Sequence, residues 1–112
     1  MKLSVRKTDS VAILDVSGKL MGGPDADVFK ENIKTLIDEG YKNVVINLSQ
    51  VPFINSTGLG ILISAYTTLR KEDGILKLAN VADRIESLLM ITKLGTIFET
   101  YSSEEKAVES FK

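Results

Sequence analysis

The segment Val44-Val45-Ile46-Asn47-Leu48 constrains the fold more than any other stretch of this chain. It is short, rich in β-branched residues and apolar at consecutive positions, so the strand it forms needs cover on both faces. Helical periodicity flanks it. Before it, Pro24 suits a first helical turn and Asp25 and Asp27 favour that helix end electrostatically. Ala26, Phe29, Ile33, Leu36 and Ile37 then trace one apolar stripe, and Gly40 is placed to end the helix. After it, a helix opening near Ser56 carries Leu59, Leu62, Ile63, Tyr66 and Leu69 on its inner side. Strands alternating with helices imply βαβ crossovers and a largely parallel sheet.

The rest of the chain extends this alternation. Leu3 and Val5 alternate with Ser4 and Arg6, and Val11–Val16 reads as a more buried strand. The short Thr8-Asp9-Ser10 connection makes these two strands a hairpin, so the sheet is mixed. Ile75–Ala79 is a further strand. Ala82, Ile85, Leu88, Leu89 and Thr92 suit a third amphipathic helix closed by Gly95, and Met90 and Ile91 are read as core in preference to an exposed patch. A short edge strand is expected over 97–101. Ser102 and Glu105 have the offset of a capping box and open a last helix whose inward residues are Ala107, Val108 and Phe111. The order ββαβαβαβα predicts a single α/β domain over residues 1–112, with a mixed, mostly parallel sheet.

Composition then removes whole classes of chemistry. The chain has no Cys and no His, which excludes thiol nucleophiles, thiolate metal sites and Ser-His-Asp or Cys-His catalysis within one chain. A net charge of -1 with 26% charged residues argues against a broad electrostatic grip on nucleic acid or on an anionic membrane. No apolar run approaches the ~20 residues of a membrane span, and the N-terminus does not read as a signal peptide. The expectation is a cytoplasmic protein that is no enzyme, with no catalytic residue, no metal and no cofactor assigned.

What remains is Asn55-Ser56-Thr57-Gly58-Leu59-Gly60, which follows the central strand and opens a helix. Helix-initial N–H groups lack internal partners and the helix dipole favours negative charge there. Ser56 at that point has two possible jobs: to cap the helix with its hydroxyl, or to offer that hydroxyl to a protein kinase. Gly58 and Gly60 each cost a helix about 1 kcal/mol relative to Ala, which calls for close packing on the sheet or close approach by a partner. The segment matches neither G-x-x-x-x-G-K-[ST] nor G-x-G-x-x-G, so it is not read as a nucleotide-processing loop.

The run Phe53-Ile54-Asn55-Ser56-Thr57-Gly58-Leu59-Gly60 resembles the signature loop of STAS domains, usually Asp-Ser-[Ser/Thr]-Gly-Leu-Gly. The likeness extends through Val44–Leu48, Gly74–Leu78, Ile91–Leu94 and Ile97-Phe98, and so over essentially the whole chain. Within that family it resembles the bacterial anti-sigma-factor antagonists. The resemblance implies a four- or five-stranded sheet with about four helices, packed largely on one side. It implies that Ser56 is phosphorylated by a cognate anti-sigma factor that is a serine kinase, that the unphosphorylated form binds this partner and frees the sigma factor, and that a phosphatase restores it. The expected docking surface comprises Asn55, Ser56, Thr57, Gly58 and Leu59, with Met21, Gly22 and Gly23 either a flexible contact loop beside them or an ordinary turn into the Pro24 helix. The alternative is a constitutive STAS scaffold or transport-associated subunit that is not phosphorylated. Two positions depart from the family pattern: Asn55 stands in place of the usual Asp, and in Gly18-Lys19-Leu20-Met21 the last residue stands where Gly-x-Leu-Asp has its acid.

Overall fold

The computed structural model describes residues 1–8, 10–20 and 22–112. Its elements run β1 (Lys2–Lys7), β2 (Val11–Ser17), α1 (Pro24–Asp38), β3 (Asn43–Gln50), α2 (Ser56–Lys71), β4 (Ile75–Ala79), α3 (Asp83–Ile91), a 3₁₀ turn (Leu94–Thr96), β5 (Glu99–Tyr101) and α4 (Glu104–Glu109). The five strands form one sheet in the order β1-β2-β3-β4-β5, with β1 antiparallel to β2 and the remaining pairs parallel.

That sequential order decides where the helices go. Each of the three crossovers steps to the next strand in the same direction, and crossovers of one hand stepping one way place their helices on the same face. Accordingly α1, α2 and α3 all pack in one cluster. The last helix, α4, connects no further strand and is free of this rule. It covers the opposite face.

Alternation along the strands supplies both cores. Leu14, Ile46 and Leu78 pair in register across β2, β3 and β4 and face α1–α3 with Phe29, Ile33 and Leu62. The intervening residues Val11, Ile13, Val45 and Ala79 face α4 and pack with Ala107. Val44–Leu48 is thus the covered central strand that its apolar run demanded. Lys77 occupies the row of Ile13 and Val45 and is only 6% exposed. Its ammonium donates to Ser110 Oγ at 2.7 Å and sits 4.3 Å from the centroid of the Phe111 ring, so the stem packs and the charge stays partnered.

Several expected boundaries shift. Gly40 does end α1: at φ 92 it lets the Tyr41 N–H reach the Leu36 carbonyl at 2.8 Å in a Schellman turn. At the end of α3 it is Lys93, at φ 62, that takes the left-handed position, and Gly95 lies inside the 3₁₀ turn. The cap of α4 is Ser103, whose Oγ accepts from Lys106 N at 3.1 Å, one residue after the expected Ser102. Met90 and Ile91 are not core. They are 72% and 80% exposed, because Ile85 and Leu89 already fill the inner side of this short helix. Ala26 is likewise exposed, at the start of the α1 stripe.

Candidate functional site

The parallel strands β2 and β3 end at the same edge of the sheet, and in open α/β sheets that carboxyl edge is where the loops converge. Here the chain after β2 and the chain after β3 meet: Leu20 forms an isolated parallel bridge with Ile54. The bridge holds the segment before α1 against the segment that opens α2.

Asn55 caps α2. Its extended backbone turns the chain into the helix, and its Oδ1 accepts the Gly58 N–H at 2.8 Å. The cap is therefore Asn55 and not Ser56, which sits one position later as the first helical residue and is exposed. Between two neighbouring residues that both cap well, the backbone has chosen the first, and the Ser56 hydroxyl is left at the surface.

The two glycines separate. A Cβ on Gly58 would lie 1.9 Å from the Leu20 carbonyl oxygen, so this residue is glycine because the segment before α1 passes against the helix backbone. Among the described residues a Cβ on Gly60 would meet nothing within 4 Å, so no comparably close approach accounts for it there. Gly22, at φ 104, repeats the theme: a Cβ there would lie 2.4 Å from the Thr57 methyl group. Gly22 and Thr57 are thereby neighbours, and Gly23 follows at φ 64 as the N-terminal flank of α1, without a side-chain cap.

Of the residues expected at a docking surface, Ser56, Thr57 and Gly23 are exposed, and Gly22 and Asn55 are half-buried. Gly58 and Leu59 are buried, so they support the surface and do not form it. Met21 lies outside the described residues. Sequence reasoning passed over Phe53, 42% exposed just before the cap, whose position after Pro52 on a connecting segment was the available signal. It also passed over the groove between α1 and α2 that begins at Thr57.

On the far face of the sheet lies a polar network. Arg6 donates to Asp15 Oδ1 at 2.9 Å and to Glu104 Oε2 at 3.0 Å, and Asn47 donates to Glu104 Oε1 at 3.1 Å. Hydrogen bonding from Arg6 is the main cause that holds the Glu104 carboxyl below its usual range, against the opposing effect of its partial burial. The same two carboxylates push the Arg6 guanidinium further up, so it is charged at every working pH. The Asn47 Oδ1 in turn accepts from Ser49 N and Asn80 Nδ2, tying the ends of β3 and β4 together. Among the described residues no group of three or more carboxylates could hold a metal ion, and no helix is long and apolar enough to cross a membrane.

With this geometry in view, the comparisons with known proteins are decisive for the family. The family model described as the STAS domain matches residues 2–107. The chain belongs to the STAS domain family. The anti-sigma-B factor antagonist of Bacillus subtilis is 27% identical over 109 residues, covering 97% of this chain and 98% of that protein. The crystal structure of an anti-sigma factor antagonist from Mycobacterium paratuberculosis is 28% identical, covers 97% of this chain and 92% of its own, and has a TM-score of 0.76. SpoIIAA, an anti-sigma factor antagonist of Bacillus, matches in its unphosphorylated form at 16% identity with coverage of 98% and 97%, and in its phosphorylated form at 18% with 99% and 100%. The TM-score is 0.76 for both forms, and at these identities the likeness shows the shared fold alone.

Proposed function

We propose that this STAS domain is an anti-sigma-factor antagonist. It binds an anti-sigma factor that is also a serine kinase through the surface around Ser56, and phosphorylation of Ser56 ends that binding. The observation that carries the reading is the division of labour at the start of α2: Asn55 does the capping, and Ser56 presents its hydroxyl at the surface. The relatives named as antagonists span nearly the full chain, which supports the role.

The fold can accept the modification without rearranging. The amides of Ser56 and Thr57 lie at the positive end of the helix dipole, which favours a phosphate there. The change falls on the partner instead. A group of about -1.5 to -2 charge inside a tight interface adds repulsion or a desolvation cost, and about 3 kcal/mol of either weakens binding more than a hundredfold. In this reading a phosphatase resets the site, and Asn55, neutral where the family has Asp, keeps the cap while lowering the charge beside the acceptor.

The test is phosphopeptide mapping of the chain incubated with ATP and a serine-kinase anti-sigma factor, with Ser56→Ala in parallel and Ser56→Asp in a binding assay. Phosphate on Ser56, with partner affinity lost on phosphorylation and in Ser56→Asp, is the expected result. A stable complex with no phosphate on Ser56 would instead make the chain a constitutive docking or scaffold subunit.

A further inference from the structure

We propose that α4 is a hinged cover that opens on its own, baring an apolar strip of the sheet while the sheet and α1–α3 stay folded. The two cores differ greatly in size. Among the described residues the core shared by α1–α3 holds twenty-two buried residues, and the core under α4 holds five: Val11, Ile13, Val45, Ala79 and Ala107. Of the residues of α4 itself Ala107 alone is buried, and Val108 and the following Phe111 are half-buried. At six residues α4 is far below the ~12–15 that an isolated helix needs in water, so it is a helix only while docked. Ser102 and Ser103 join it to the short strand β5 and are placed to act as the hinge.

Polar contacts fasten this cover at both ends. Glu104, its first residue, accepts from Arg6 of β1 at 3.0 Å and from Asn47 of β3 at 3.1 Å. Ser110, just past its last residue, accepts from Lys77 of β4 at 2.7 Å. Neither fastening is strong. The Arg6 and Glu104 side chains are 50% and 22% exposed, where ion pairs are weak and screened by salt. Lys77 is a charged group enclosed beneath α4, and water reaches its ammonium when α4 lifts, which offsets part of the apolar burial lost. The strip laid bare crosses the middle of the sheet, because Ile13 and Val45 pair in register on β2 and β3 with Lys77 beside them on β4. It lies on the face opposite α2, so opening leaves the start of that helix undisturbed and the device stands apart from the Ser56 reading.

The chain has no Cys, so a single introduced cysteine reports opening without background. Val44 and Val45 are neighbours on β3 and both fully buried, the first in the core of α1–α3 and the second under α4. Val44→Cys and Val45→Cys each exchange one small apolar side chain for another, so both variants should fold. The experiment is the rate of iodoacetamide labelling of each folded variant across sub-denaturing urea, with the urea-unfolded protein as reference and each rate corrected for the variant's own stability. Val45→Cys should label at least about tenfold faster than Val44→Cys, and with little dependence on urea, because lifting α4 exposes little surface. Adding Glu104→Gln to Val45→Cys should speed its labelling roughly two- to fivefold. Val44→Cys labelling as fast as Val45→Cys, or no labelling of Val45→Cys below the unfolding transition, overturns the proposal. An unchanged rate on adding Glu104→Gln overturns the fastening assigned to that residue.

Discussion

Replacing Gly58 by alanine and, separately, Gly60 by alanine should change stability in opposite directions. At Gly58 the new Cβ would be 1.9 Å from the Leu20 carbonyl oxygen, more than 1 Å short of the 3.0 Å that real Cβ atoms respect. Both partners are backbone, so no side chain can swing away, and either α2 or the segment at Leu20 must move. Overpacking of this kind costs about 1–3 kcal/mol, and backbone on both sides puts it near the upper end. The gain in helix propensity returns at most about 1 kcal/mol. The net loss is about 2 kcal/mol, or a melting temperature lower by roughly 5–12 °C for a domain of this size. Gly60→Ala meets no obstacle among the described residues and should gain about 0.5–1 kcal/mol through the same propensity term. Reversible thermal and urea unfolding followed by circular dichroism measures both. Shifts of the same sign would refute the contact between Leu20 and the helix as the reason for Gly58.

Three further outcomes follow from side-chain geometry. Asn55→Ala should lose about 1 kcal/mol of stability through the vacant Gly58 N–H, whereas Asn55→Asp keeps the cap and adds a favourable charge at the helix start, which urea midpoints would resolve. Glu104 has its folded pKa lowered by Arg6, so its contribution is present above its unfolded value near ~4.3 and fades as pH falls through the lower folded value. Glu104→Gln should therefore flatten the loss of stability on acidification by up to about 1 kcal/mol, measured as urea midpoints at neutral and at acid pH. Lys77→Met removes the ammonium from Ser110 and Phe111 and should speed hydrogen exchange in α4 while the amides between β3 and β4 keep their protection.

The element order was legible because its signal is periodic: the apolar run of β3, the stripes of α1 and α2, and the hairpin that opens the chain. What escaped was set by choices between near-equal neighbours. Asn55 and Ser56 both cap well, as do Ser102 and Ser103, and only the path of the incoming chain decides between them. Left-handed backbone fell to Lys93 although a glycine stood two residues on, because the helix ended where its inner face ran out. Gly58 and Gly60 look alike in a sequence, and only the approach of Leu20 separates them. The exposure of Met90 and Ile91 depended on how much core the short α3 could reach. The site loop itself was legible as a motif, but the groove beside it joins α1 to α2 across three-dimensional space and leaves no local mark.

The unbroken strand order has a consequence for how the chain acquires its shape. Every strand finds its partner in the strand made just before it, so each pairing can form as soon as its second half leaves the ribosome, and each needs only a loop of moderate length to close. The docking of α4 breaks this rule, and an ion pair marks its longest reach. Arg6 and Glu104 are 98 residues apart in sequence. Their ion pair must wait until α4 is made, and it fastens α4 to β1 after the sheet between them is complete.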